Sequence, residues 1–363
     1  MDNFSKTPLY EEHVKLGAKM VEYGGFLMPL EYTSIKQEHE SVRNKAGIFD
    51  VSHMGEVMIT GVDATRFMEK LYSNDVVNCP NFKVTYGFML NESGGVIDDM
   101  MVYKFNDEKY FLVFNAANAQ KDYDHIIKTM KGYKVEVEDL RITCALVAVQ
   151  GPLAVDMVQA IVEDDIVSLK FMSFKEVKIN GETCIISRTG YTGEDGFEIY
   201  TSNENIKYIW SELLKNPDIA PAGLGCRDTL RFEASLPLYG QEIDENITPL
   251  EAGLGFGVKF NHDFIGKEAL LKLKEDGIKR TSVGIELLDR GIPRHGYKVL
   301  INDEEIGYIT TGYMSITLNK PIAMALIDVR YAQVGTKVEV LIRNKKVKAV
   351  VRDKKFYQKT YKK

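Results

Sequence analysis

Gly61-Val62-Asp63-Ala64, followed by Phe67-Met68 and Leu71, returns 90 positions later as Gly151-Pro152-Leu153-Ala154, followed by Met157-Val158 and Ile161. In each copy a strand exits into a glycine and an amphipathic helix begins, its apolar residues three and four apart on one side. Farther along, each copy has a glycine-rich turn leading to a carboxylate-bearing strand: Gly94-Gly95-Val96-Ile97-Asp98-Asp99 in the first, Gly193-Glu194-Asp195-Gly196-Phe197-Glu198 in the second. The repeat predicts two related α+β units. If the units face one another, Asp99 and Glu198 reach a shared cavity from opposite sides.

Other elements fit around this pair. Thr33 or Ser34 caps a helix that runs through Arg43 and stops near Gly47, and Asp63 opens the first repeat helix. A third helix spans roughly 204–215, with Ile206, Ile209, Trp210, Leu213 and Leu214 as its stripe. Met100–Tyr103 and Tyr110–Phe114 read as strands. Helices and strands mix without strict alternation, which favours α+β over a doubly wound sheet. Beyond about residue 280 the character changes: Val283–Leu287, Tyr297–Ile301, Ile306–Thr310, Val338–Ile342 and Val347–Val351 are short strands separated by turn residues such as Asn302-Asp303. They predict an all-β barrel or sandwich. The change falls between Gly257 and Lys279, so the chain divides into 1–275 and 276–363.

Composition excludes several classes. A chain of 363 residues suggests two to three domains, and its 45% hydrophobic and 27% charged residues are ordinary for a globular protein. A net charge of −6 argues against a protein-wide nucleic-acid surface. The charge is uneven, however. From Leu341 onward ten Lys and Arg face one acid, Asp353, while the rest of the chain holds 36 basic and 51 acidic residues. Lysine protection of a strand edge explains most of that tail, and an acidic partner is a second use for it. No apolar run nears a membrane span, and the N-terminus has neither a signal-peptide nor a transit-peptide pattern. The expectation is a soluble, cytoplasmic protein with no membrane or nucleic-acid partner. Cys79, Cys144, Cys184 and Cys226 stand at least 40 residues apart, and the histidines form no ligand spacing, so no metal is expected. Cys144, in an apolar run, reads as a buried thiol.

The densest chemical signal is Arg188-Thr189-Gly190-Tyr191-Thr192-Gly193-Glu194-Asp195-Gly196-Phe197-Glu198. Its glycines permit close backbone approach, and its aromatic and carboxylates offer a stacking face and hydrogen-bond acceptors. On spacing alone, a decorated hairpin loop is slightly favoured. Asp98 and Asp99 are neighbours on a strand and point to opposite faces, so one of them at most serves a given pocket. Tyr86 and Tyr103 flank that cluster. Pro221-Ala222-Gly223-Leu224-Gly225-Cys226-Arg227-Asp228 enters a helix, but the third glycine of a dinucleotide fingerprint would fall on Asp228, whose charge opposes a phosphate. With no GxxxxGK[ST] either, no nucleotide is expected. His53 reads as a hydrogen-bonded structural histidine, with base or ligand as the alternative.

Taken together, these segments resemble the T-protein of the glycine cleavage system, the aminomethyltransferase family. The resemblance runs through Thr7-Pro8-Leu9-Tyr10, Phe49-Asp50-Val51-Ser52-His53-Met54-Gly55, Gly94–Asp99, Asn115-Ala116-Ala117-Asn118, Arg188–Glu198, Gly223–Asp228, Leu238-Tyr239-Gly240-Gln241 and Asp244-Glu245-Asn246. It implies a ring of three domains, with folate threaded into a central hole and a β-barrel at the C-terminus. Within 1–275 the two units interleave, roughly 51–139 and 1–50 with 140–250, before a connecting segment. The implied reaction moves a one-carbon unit from the aminomethyl-dihydrolipoyl arm of lipoylated H-protein to tetrahydrofolate, with no metal or nucleotide. The glycine decarboxylase and dihydrolipoyl dehydrogenase components are the further partners.

By the same resemblance Asp99 is the catalytic acid, and Glu198 accepts hydrogen bonds from the pterin edge. Tyr86, Tyr103, Asn115 and Tyr191 wall the folate pocket, and Arg227 either orients the catalytic acid or meets the incoming arm. Departures are small: Phe26 stands where many relatives carry tryptophan, and Cys226 where alanine is commoner. Two other readings share the fold. One is a folate-dependent demethylase or methyltransferase using small methylated donors. The other is a folate-binding protein serving iron–sulfur enzymes, whose Lys-Gly-Cys-Tyr signature is broken here by Gly190 before Tyr191.

Overall fold

The two repeat helices form where the sequence places them. Their residues are Ala64–Leu71 and Ala154–Gln159. Gly61 and Gly151 before them adopt nearly the same conformation, φ 137° and 135°. A Cβ there would meet the Lys134 carbonyl oxygen at 2.3 Å and the Lys45 carbonyl oxygen at 2.4 Å. Both glycines are therefore the same device, a close crossing against the start of the strand that pairs with each unit's first strand.

The computed structural model describes residues 4–361. One sheet has the order Lys83–Leu90, Val96–Asn106, Lys109–Phe114, Gly55–Thr60, Glu136–Asp139. The other has the order Phe174–Ile179, Glu182–Ser187, Gly196–Ser202, Cys144–Gln150, Ala46–Asp50, Ile219–Pro221. In each, the unit's first strand inserts beside its fourth, so the strand order is duplicated as well as the helix. That order corrects one detail of the repeat. Gly94-Gly95 turns the first hairpin of its unit, whereas Gly193–Gly196 turns the second hairpin of the other. The two glycine-rich turns are not counterparts; the true counterpart of Gly94-Gly95 is Asn180-Gly181.

The sheets face each other across a shared core of Tyr103, Phe111, Val113, Leu146, Ala148 and Tyr200. Each buries its other face under helices, as with Trp210 and Leu213 of Asn205–Leu213. A small sheet of Ser5–Lys6, Lys19–Tyr23 and Phe26–Glu31 completes the N-terminal region. Helix Ile35–Asn44 is capped by Ser34, whose hydroxyl accepts the Gln37 N–H. Asp63 instead accepts the Lys134 N–H, tying helix to neighbouring strand.

Residues 280–352 form a closed barrel of six strands. One of the six, Pro321–Asp328, is absent from the sequence reading, and its burial explains why. Ala323, Ala325 and Ile327 fill the barrel, while Ile322, Met324 and Leu326 pack against the rest of the protein. A strand covered on both faces loses the alternation by which it is read. The weld is partly polar: Arg231 donates to Glu242 at 2.8 Å and to Thr311 of the barrel at 3.1 Å, while Thr310 donates to Glu242 at 2.6 Å. Cys144 is half-buried rather than buried, because it opens its strand at the sheet end; Cys184 and Cys226 are buried. Among the described residues no helix is long and apolar enough to cross a membrane.

Candidate active site

Between the two sheets and the helix Leu224–Glu233 lies a cavity of about 820 Å³, within the range of small-molecule sites. Asp99, Tyr86 and Asn115 line it from one sheet, Glu198 and Tyr200 from the other. The helix supplies Arg227, Asp228 and Arg231, and the chain's end supplies Lys359 and Tyr361.

Asp99 is held at both oxygens. Tyr86 donates to Oδ2 at 2.9 Å and Asn115 Nδ2 to Oδ1 at 2.8 Å. Burial, then the nearby charge of Asp98, raises its proton affinity so that it titrates at about 7. Asp98 points away from the cavity, fully buried, where it accepts from Asn115 N and Nδ2 at 2.9 Å and from Asn118 Nδ2 at 2.8 Å. Strand alternation thus gives the cavity one acid and the support behind it another. The Gly94-Gly95 turn that leads into this strand is itself structural: a Cβ on Gly95 would lie 1.9 Å from the Glu245 carbonyl oxygen. The turn lets the Asp244–Ile247 segment dock, its carbonyls receiving the Val96 N–H and Asn91 Nδ2.

Glu198 accepts the Thr189 hydroxyl. Burial raises its proton affinity, against the opposing pull of that hydrogen bond and of the Arg227 charge. Tyr191 donates to the Pro237 carbonyl, and the Arg227 guanidinium lies over the Tyr191 ring, 4.7 Å from its centroid. Among the described residues Arg227 makes no side-chain hydrogen bond, so its donors are free for a bound group.

Tyr103 requires a correction: it does not line the cavity. It shares a face with Asp99 but lies four residues along the strand, where Tyr200 and Phe174 cover it. Its hydroxyl instead joins a chain behind Glu198. Tyr103 bonds Tyr200 at 2.7 Å and Ser187 at 3.2 Å, and Ser187 bonds Thr189 at 2.6 Å. His53 also departs from expectation. It lines the cavity edge-on to Tyr23 and Phe26, its Nδ1 has no partner among the described residues, and burial beside Arg227 lowers its titration to about 4. It is a neutral wall residue. Lys354, counted with the basic tail, is tied inward to the Ala252 carbonyl and Ser282, both at 3.1 Å.

Two parts of the site escaped the sequence reading. Phe256 is 63% exposed at the rim and stacks on Tyr86 with ring centroids 5.9 Å apart. The chain's end folds back because Glu194 accepts from Tyr357 and Thr360 at 2.6 Å, which brings Tyr361 to stack on Phe171. No local pattern announces either one.

An aromatic-walled cavity with two acids from different sheets and, among the described residues, one unpaired guanidinium defines an enzyme site for a planar, hydrogen-bonding small molecule. Comparison with known proteins gives the class its family. The GCVT N-terminal domain matches residues 9–262 and the glycine cleavage T-protein C-terminal barrel domain residues 280–358. An aminomethyltransferase of Caldanaerobacter subterraneus subsp. tengcongensis is 54% identical over 100% of this chain and 98% of its own. One from Lysinibacillus sphaericus is 47% identical over 99% of both chains. The crystal structure of glycine cleavage system aminomethyltransferase T from Bartonella henselae superposes with a TM-score of 0.94 at 32% identity, covering 99% of this chain and 100% of that one. The chain belongs to the glycine cleavage T-protein family. It is an enzyme, an aminomethyltransferase, and the two other folate-linked readings find no support among these relatives.

Proposed function

We propose that the cavity binds tetrahydrofolate as co-substrate and receives the aminomethyl-dihydrolipoyl arm of lipoylated H-protein, the remaining glycine cleavage components acting before and after. The carbon–sulfur and carbon–nitrogen bonds of the donor break. Two folate nitrogens each bond to that carbon and each lose a proton. The products are 5,10-methylenetetrahydrofolate, ammonia, which takes one proton, and the dihydrolipoyl thiol, which takes the other.

Expelling either leaving group passes through an iminium-like cation, which a fixed carboxylate stabilises. Asp99, titrating at about 7, suits both tasks asked of it: its anion faces the cation, and it accepts a folate proton. Tyr86 and Asn115 hold the carboxylate plane while this happens. Glu198 is assigned to the pterin's N–H edge, Tyr191 and Tyr86 to the ring faces, and Arg227 to the anionic or polar end of an incoming group. The observation that carries the reading is Asp99 clamped at both oxygens on a cavity shared with Glu198.

The direct test is a folate-dependent ammonia-release assay with aminomethyl-loaded H-protein, run beside methylated small donors. Ammonia released from the loaded H-protein alone is the expected result. Turnover of a methylated amine at a comparable rate overturns the donor assignment.

A further inference from the structure

Behind Asp98 lies a second carboxyl group that the reaction itself does not use. Asp122, in the first turn of helix Ala119–Thr129, is 0% exposed, as is Asp98. Neither oxygen of Asp122 finds an N–H or O–H donor from the described residues. The nearest cation, Lys121, is turned elsewhere, donating to the Ile97 carbonyl at 2.8 Å, to Tyr239 at 2.9 Å and to Glu245 at 3.1 Å. The Asp122 and Asp98 carboxyl groups lie within hydrogen-bond reach of each other, and two buried carboxylates so placed cannot both be ionised. Resting on the reading of Asp99 above, we propose that Asp122 is a positioning residue: its carboxyl group keeps a proton and donates it to Asp98, fixing the buried anion that holds Asn115 against Asp99.

The geometry leaves Asp98 as the anion of the pair. It already accepts three N–H bonds, from Asn115 N, Asn115 Nδ2 and Asn118 Nδ2, whereas Asp122 accepts none. Asn118 precedes the helix as its N-cap, yet its side chain makes no cap bond. Its amide is turned to Asp98 instead of capping the helix, the task a side chain at that position ordinarily performs. Burial and the Asp98 charge push the Asp122 proton affinity up, to about 11, with Asp99 adding and Lys121 opposing. Asp98 is faced in turn by Asp99 and Tyr239. The relay therefore runs Asp122, Asp98, Asn115, Asp99, one proton at its far end and the reacting carboxylate at the other.

An amide replaces the acid's O–H donor and an alkyl group does not, which sets the test. Infrared spectra of the full chain at about pH 9, taken as wild type minus Asp122→Asn so that the band of the buried, protonated Glu56 cancels, should show a protonated-carboxyl band that belongs to Asp122 and is missing from the variant. Asp122→Asn, still a donor, should hold kcat within about threefold, whereas Asp122→Leu should lose at least about tenfold in kcat with tetrahydrofolate affinity within about threefold. A purely structural role lowers melting temperature in Asp122→Leu without that kcat split. The proposal is overturned if the band survives in Asp122→Asn, if Asp122→Asn loses as much as Asp122→Leu, or if Asp122→Leu turns over like the wild type. Should Asp122→Leu not fold, the band and Asp122→Asn decide. The band is independent of Asp99, so an Asp99 variant that stays active sinks the reading of the site and the kcat arm that rests on it, while the band still decides whether Asp122 holds the proton.

Discussion

Asp99 and Glu198 line one cavity from sheets of the same strand order, yet they stand on strands that are not equivalent within it. Asp99 lies on the second strand of the first hairpin in its unit, Glu198 on the second strand of the second hairpin in the other. Duplication supplied two facing sheets, and the acids were placed on them independently. Their supports differ accordingly: a tyrosine and an asparagine amide for Asp99, a chain of hydroxyls for Glu198. In the proposed reaction the first exchanges a proton and the second accepts hydrogen bonds.

Asp99→Asn should keep tetrahydrofolate binding within a few-fold and lower transfer by about three orders of magnitude or more, since only the transition-state charge loses its partner. The raised titration gives a pH signature. The anion is the active form, so wild-type turnover should rise through a limb centred near pH 7 and fall below it as Asp99 protonates. The limb should vanish in Asp99→Asn. Single-turnover ammonia release from loaded H-protein across pH checks both; near-native release by the variant removes Asp99 from the chemistry.

For Glu198→Ala the expected loss is about 2 kcal/mol or more in tetrahydrofolate binding, from the missing charge-assisted bonds. Tyr103→Phe should do less, about 0.5–1 kcal/mol, by cutting the hydroxyl chain that ends on Glu198. Isothermal titration measures both. Equal dissociation constants for Tyr103→Phe and the wild type would mean that Thr189 alone suffices.

Much of this arrangement was readable because it is local. Gly61 and Gly151 mark strand exits by their conformational need, and the helices after them carry their own apolar spacing. The aspartate pair likewise reads directly: alternation along Val96–Asn106 allows one acid to the cavity. Tyr103 shows where such reasoning stops. Its parity matches Asp99, but depth along a face depends on what the opposite sheet places over it, here Tyr200. Pro321–Asp328 was hidden by burial on both faces, and the inward fold of residues 357–361 by dependence on Glu194, more than 160 positions away.

Arg231 is almost wholly buried, paired with Asp228 at 2.7 Å and Glu242 at 2.8 Å. Arg231→Met leaves Glu242 charged in a site that also faces the barrel's Thr310 and Thr311. Breaking a buried pair on one side costs about 3–5 kcal/mol. Chemical denaturation should show that loss. Replacing Arg231 and Glu242 together by apolar residues should recover part of it, and a double variant no better than the single one contradicts the pairing account.

Glu56 is fully buried, with both carboxyl oxygens lacking a partner among the described residues, and burial, aided by the Asp139 charge, raises its proton affinity well above the ordinary range. The unfolded chain releases this proton near pH 4.5, whereas the folded protein keeps it. Between those two titrations the native state binds more protons than the unfolded one, so stability falls as pH rises, by about 1.4 kcal/mol per pH unit from this group. Glu56→Gln cannot titrate and should be free of that slope. Denaturation free energies at several pH values between about 5 and 8 should therefore show the variant gaining steadily on the wild type as pH rises, whatever the fixed cost of the amide. A difference that stays flat with pH would place a donor beside Glu56 and end the argument.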